Sequence, residues 1–220
     1  MSSTEKTKEL IEWEGEFGDA YVDRCMPTEA DIEKRMQFWA NVFNSSISIP
    51  VVGEHPKSIL EIGCNVGANL IAIDNLYKMH DKSIQLYGLE PNQKARKILR
   101  SQNIRQLKMV EGSATAIEAK DGIADVVLTC GVLIHINPAD LDKAMGEIYR
   151  MSTKYIICAE YFSPSVREIK YRDKEGLLWT NDFGSKWLDN FPLMCCGYGF
   201  AWKRISGVDN LTWWVFQKVH

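Results

Sequence analysis

The chain has 220 residues, 45% of them hydrophobic and 25% charged, which is enough apolar material for one well-buried core and excludes a disordered chain. Its 26 basic and 29 acidic residues leave a net charge of -3, so attachment to nucleic acid chiefly through phosphates is disfavoured. Six cysteines, four scattered and Cys195-Cys196 adjacent, include no CxxC pair, which argues against structural zinc and for free thiols in a reducing compartment, the cytoplasm.

In chain order, the polar start MSSTEKTKEL lacks the apolar region of a signal peptide. The longest apolar stretch, residues 126–136, is too short to span a bilayer, so no membrane partner is expected. Residues 1–55 read as a helical segment acting as a lid. Within it, residues 28–43 place Ile32, Met36, Phe38, Trp39, Val42 and Phe43 mostly at helical spacing after Pro27. Residues 50–56 read as a linker around Gly53.

From Lys57 strands and helices alternate. Residues 58–63 form a first strand and 68–79 a helix. Residues 83–90 form a second strand, and 92–101 a helix opened by Pro91. Residues 107–112 and 123–131 are strands three and four. Residues 138–151 are a helix with Pro138 at its start, and 154–162 are strand five. This order implies a mostly parallel sheet with helices on both faces, which binds ligands beyond the carboxyl ends of its strands. Residues 163–192 read as a polar, aromatic insertion that binds the acceptor within a domain spanning 56–220. Residues 198–206 and 210–219 read as two strands around Gly207-Val208-Asp209-Asn210. They close a seven-stranded α/β sheet as a terminal antiparallel hairpin.

Four motifs sit at the expected ligand edge. Strand one ends in Glu61-Ile62-Gly63-Cys64-Asn65-Val66-Gly67, an acid followed by a glycine turn into a helix whose first N–H groups lack partners. Strand two ends in Glu90-Pro91, and a carboxylate there can accept both ribose hydroxyls. Strand three is followed by Glu111-Gly112-Ser113-Ala114, where an adenine would lie. Strand four is followed by Gly131-Val132-Leu133-Ile134-His135, at the front of the cleft.

These motifs in this order resemble the class I S-adenosylmethionine-dependent methyltransferases, whose Rossmann-like fold the alternation already implies. The family pattern has glycine where this chain has Asn65. The resemblance implies that Glu61, Gly63, Asn65 and Gly67 surround the methionine part of S-adenosylmethionine. It places Glu90 and Pro91 at the ribose, Ser113 and Ala114 beside the adenine, and Gly131 along the sulfonium. S-adenosyl-L-homocysteine would be the product.

A resemblance covering nearly the whole chain is to the pseudaminic acid biosynthesis-associated methylases. It rests on Trp13-Glu14-Gly15-Glu16-Phe17-Gly18-Asp19-Ala20-Tyr21 with Arg24, on GVLIHINP from Gly131, on AEYFSPS from Ala159, and on Tyr171-Arg172, Asp182-Phe183, Tyr198-Gly199-Phe200 and Thr212-Trp213. Two departures are Cys25, where the family has Asn, and Asn181, where it has a basic residue. This resemblance implies O-methylation of a sugar or nucleotide sugar in bacterial capsule or surface-glycan synthesis. The alternatives are another small polar acceptor of N- or O-methylation, or a non-catalytic cofactor-binding module.

Methyl transfer to a hydroxyl needs an aligned lone pair and a proton acceptor. His135 is one candidate base, its intrinsic pKa suiting neutral pH; capping or bracing a loop is its other reading. Glu160, ending strand five, is an alternative base, or a capping acid. Tyr161, Arg167, Tyr171 and Arg172 are candidate acceptor-binding residues, since arginine suits carboxylate or phosphate. Tyr21 and Arg24 either cover the cofactor or pack on the core. No metal cluster is visible, and His55, His80 and His220 are isolated. The oligomeric state is open, a homodimer included.

Overall fold

The computed structural model describes residues 6–46 and 55–219. The linker expected at 50–56 lies, but for its last two residues, outside the described residues, as does His220.

Three helices open the chain. Helix α1 (Lys8–Glu14) begins where Thr7 Oγ1 accepts the Leu10 N–H, and Gly15 separates it from α2 (Glu16–Arg24). Helix α3 (Glu29–Ser46) starts with a reciprocal cap. Asp31 Oδ2 accepts the Thr28 N–H at 3.0 Å, and Thr28 Oγ1 accepts the Asp31 N–H at 3.2 Å.

The alternating part then supplies β1 (Ser58–Ile62), α4 (Ala68–Met79), β2 (Gln85–Leu89), α5 (Gln93–Ser101), β3 (Leu107–Val110), β4 (Ala124–Cys130), α6 (Leu141–Met151) and β5 (Ser152–Glu160). Helix α7 (Phe183–Asn190), β6 (Leu193–Ala201), the short α8 (Lys203–Ser206) and β7 (Leu211–Lys218) complete the chain. The sheet order is β6-β7-β5-β4-β1-β2-β3. Strands β1 to β5 pair in parallel, and β7 runs antiparallel to both β5 and β6. The order reverses between β1 and β4, the crevice where open α/β sheets bind ligands.

Alternation along the strands feeds two cores. Ile59, Val126, Leu128 and Ile157 face α3 and α4, where Phe38, Trp39, Val42, Leu70 and Ile73 are buried. Leu60, Ile62, Val127 and Ile156 face α6 and α7. The adjacent Trp213 and Trp214 belong to opposite cores and are each 9% exposed. Both rings are therefore buried, because helices cover both faces of the sheet. Helix α3 is likewise a core layer, whereas α1 and α2 of the segment expected as a lid lie over the cleft.

Three expectations at element scale change. Helix α6 starts at Leu141 instead of Pro138, because Asn137 Oδ1 accepts the Ala139 N–H at 3.0 Å and holds a turn there. The last strand pair is interrupted: β6 stops at Ala201, and residues 203–206 coil into α8 before Gly207 takes φ +68. Inside the expected insertion, α7 is a true helix, capped by Asp182 Oδ1 on the Ser185 N–H, with Phe183 and Trp187 buried. Its signal is one pair of apolar residues a turn apart, too short for periodicity to show.

Candidate functional site

A cavity of about 210 Å³ lies at the carboxyl ends of β1, β2 and β4 under α1 and α2. Its floor is the turn after β1. Gly63 has φ +67 and Asn65 φ +48, and asparagine tolerates the left-handed region, which explains why it can replace glycine here. A β-carbon on Gly63 would lie 2.6 Å from Val132 Cγ2, so only glycine lets the β1 and β4 turns meet. Gly67 packs toward Leu99 of α5 and does not line the cavity.

Two carboxylates anchor this floor. Glu61 Oε1 accepts Asn69 Nδ2 at 2.6 Å, while Asn69 Oδ1 accepts Arg35 Nη1 at 2.7 Å and Trp39 Nε1 at 3.1 Å. Glu61 Oε2 is buried without a partner. Burial pushes the Glu61 carboxyl up to about 7, against the opposing pull of Asn69 and the Arg35 charge. Glu90 accepts the Asn65 N–H and the Asn92 N–H, each at 2.8 Å, and burial raises it also to about 7. Pro91, Ser113, Ala114 and Gly131 line the same cavity. Gly131 has φ +69, and the nearest atom to an added β-carbon is 4.0 Å away, so a side chain there would occupy open space.

His135 ends a 3-10 turn after β4 and lines the cavity. Its Nδ1 lies 2.6 Å from the Leu177 carbonyl oxygen. That nitrogen therefore carries the proton and donates it, leaving Nε2 as an acceptor. The ring sits between Trp13 (4.6 Å between centroids) and Tyr171 (5.3 Å). Burial lowers its pKa to about 4, against the bond to Leu177.

The other expected groups divide. Tyr21 lines the cavity, whereas Arg24 is exposed, its guanidinium 6.0 Å from the Tyr21 ring centre. Glu160 is 0% exposed and absent from the cavity wall. Its Oε1 accepts the Val132 N–H at 3.1 Å and its Oε2 the Ile134 N–H at 3.3 Å, so it braces the turn that carries His135. The base reading of Glu160 is corrected on that ground, since both its oxygens point into the backbone. Tyr161 donates to Asp209 Oδ2 at 3.0 Å, outside the cavity. Arg167 and Arg172 are exposed outside it too, and Tyr171 backs His135 without lining the wall. The insertion therefore does not bring its arginines to the cleft.

Residues not foreseen also line the cavity, among them Glu9, Arg35, Asn69 and Asn137. Arg35 and Asn69 carry no motif and come together only when α3 packs on α4. No group of three or more His, Cys, Asp or Glu placed to hold a metal occurs among the described residues. No helix among them is long and apolar enough to cross a membrane.

Comparison with known proteins agrees with this geometry. Residues 60–155 match the family model described as a methyltransferase domain. The chain is 28% identical to norajmaline N-methyltransferase of Rauvolfia serpentina, over 74% of this chain and 53% of that protein. It thus spans about half the length of that curated relative. The structure is similar to magnesium protoporphyrin IX methyltransferase from Synechocystis PCC 6803, solved with bound S-adenosylmethionine (TM-score 0.64, 12% identity, 99% of this chain and 100% of that one). It is also similar to an S-adenosylmethionine-dependent methyltransferase of Leishmania major (TM-score 0.68, 16% identity, 96% and 87%). Residues 60–155 thus match a methyltransferase domain, and the chain has the fold of the class I S-adenosylmethionine-dependent methyltransferases.

Proposed function

We propose that this chain transfers a methyl group from S-adenosylmethionine to a small-molecule acceptor lying between the β4 turn and helices α1 and α2. The observation that carries this reading is Glu61 Oε2, a buried carboxylate oxygen without a partner in the wall of the cleft. It would take the cofactor's amino group, and Arg35 beside it would take the carboxylate. The lone pairs left on Glu90 would accept the ribose hydroxyls, Ser113 and Ala114 would flank the adenine, and the bare Gly131 would leave room for the sulfonium. When bound, the cofactor supplies an electrophilic methyl group.

The chain's own residues do the rest. Trp13 and Tyr21 exclude water from the cavity. Leu177 holds His135 with Nε2 available to accept the acceptor's proton. Glu160 keeps the His135 turn in place by gathering its amides.

The sugar or nucleotide-sugar acceptor of surface-glycan synthesis is supported by the whole-chain resemblance. Two relatives are named for N-methylation of norajmaline and for methylation of magnesium protoporphyrin IX, so acceptors vary among proteins of this fold. The test is calorimetric titration with S-adenosylhomocysteine on the wild-type chain and on Gly131→Leu. Binding to the first and loss in the second are expected, followed by a mass gain of one CH₂ on an acceptor. Equal binding by Gly131→Leu would overturn the assigned cleft.

A further inference from the structure

Beyond the groups assigned to the cofactor, the cavity wall has a definite charge and shape. Glu9 and Trp13 stand one turn apart on α1, so they share a face, and both line the cavity. Glu9 is 7% exposed, and its Oε1 accepts Asn137 Nδ2 at 3.1 Å. Trp13 Nε1 is buried without a partner. The Trp13 ring meets those of Tyr21 (5.3 Å) and His135 (4.6 Å), which line the cavity beside it.

Among the described residues of this wall, Arg35 is the sole lysine or arginine, and it is engaged by Asn69 beside Glu61. Apart from Glu61 and Glu90, which are assigned to the cofactor, Glu9 and Asp140 supply two carboxylates to the same wall. The arginines expected to hold an anion, Arg167 and Arg172, are exposed outside the wall, and the nearby Lys174 pairs with Glu12. An anionic acceptor would be desolvated among like charges. A protonated amine would instead find ring faces, which attract cations, and a buried carboxylate. His135, held neutral, adds a ring without adding positive charge.

We infer that the acceptor is a basic amine with an apolar, ring-bearing body, held as the ammonium among Trp13, Tyr21 and His135 with its nitrogen toward Glu9; it gives one proton to His135 Nε2, and the freed lone pair takes the methyl as the carbon–sulfur bond breaks to leave S-adenosylhomocysteine. This deepens the proposed methyltransferase function and rests on it. The unpartnered Trp13 N–H further favours an oxygen or nitrogen acceptor atom elsewhere on the same molecule.

The experiment measures equilibrium binding of four probes to the full chain saturated with S-adenosylhomocysteine. They are tryptamine, its uncharged N-acetyl derivative, the anion indole-3-acetate, and UDP-N-acetylglucosamine. Tryptamine is expected to bind about tenfold tighter than each of the others. Glu9→Gln and Trp13→Ala should each weaken it about fivefold or more while S-adenosylhomocysteine affinity is kept, and Trp13→Phe should restore most of it. Tighter binding of either anion, equal binding of the uncharged amide, or no tryptamine binding to the loaded chain overturns the inference and leaves the methyltransferase reading standing. Failure of S-adenosylhomocysteine itself to bind overturns that reading, and the inference with it.

Discussion

Glu61 and His135 are both held by one hydrogen bond that leaves a second atom free, and in each case the free atom carries the assigned role. Glu61→Gln keeps an acceptor for Asn69 Nδ2 but turns an amide toward the cavity. S-adenosylhomocysteine affinity should fall about tenfold, while the melting temperature should not fall, because a buried charged group has been removed. His135→Gln keeps a side chain able to donate to Leu177 and removes the basic Nε2. A well-matched base contributes about 10²–10⁴-fold to rate. With a pKa of about 4 His135 is a weak base, so turnover should fall only about tenfold at neutral pH. The acid limb of the wild-type profile should lie near 4 instead of near 6.5. Normal turnover by His135→Gln, with cofactor affinity intact, would leave the imidazole a ring in the wall and nothing more.

Helices α1 and α2 are tied down by few polar contacts. Asn92 Nδ2 donates to the Trp13 carbonyl at 3.1 Å and to Asp19 Oδ1 at 2.9 Å, while Asn92 Oδ1 accepts the Ala95 N–H and caps α5. Asp23 pairs with Lys94 at 2.6 Å, a largely exposed contact of small worth. Asn92→Asp preserves the cap but replaces the donor with a charge facing Asp19. It should release α1 and α2 to proteolysis and lower acceptor affinity, with the core's melting temperature changed little. Asn92→Ala loses the cap as well and should cost a further ~1 kcal/mol of stability. Equal protease resistance in Asn92→Asp and wild type would show that packing of Trp13, and not this hydrogen bond, holds the two helices.

At the scale of the whole molecule, buried acids oppose folding as pH rises. Glu61, Glu90 and Glu160 are raised from 4.5 to about 7, in each case mainly by burial. Each binds a proton in the folded chain that the unfolded chain has released, so its stabilising share is complete below about 4.5 and is lost as pH climbs through 7. His135 acts oppositely: lowered from 6.5 to about 4, it favours the fold above 6.5 and withdraws that share as pH falls toward 4. Three acids against one histidine give a net loss of stability from pH 5 to about 7.5. The melting temperature of the cofactor-free chain should fall across that range. Glu160→Gln should flatten the decline by about a third, and a flat profile in the wild type would contradict the assigned burial.

Much of this architecture is written in local pattern. Strand–helix alternation, the acid and glycine turn after β1, Glu90 after β2 and the Gly131 turn after β4 are contiguous signals, because each is a short segment whose neighbours in sequence are its neighbours in space. They mark five parallel strands and the ligand-binding edge expected of such a sheet before any coordinates exist. The acceptor side is different. Glu9 and Trp13 stand a turn apart on α1 and His135 stands on the β4 turn, and no spacing along the chain links one element to the other. Burial separates Glu160, turned into the backbone with its oxygens occupied, from Glu61, turned into the cavity with one oxygen free, although each is an acid on a buried strand. The sequence by itself determined the sheet and the edge of it at which a ligand is expected, through period and turn chemistry. Only the tertiary structure decided which charges line the cavity, because that depends on how helices far apart in the chain pack across the open end of the sheet.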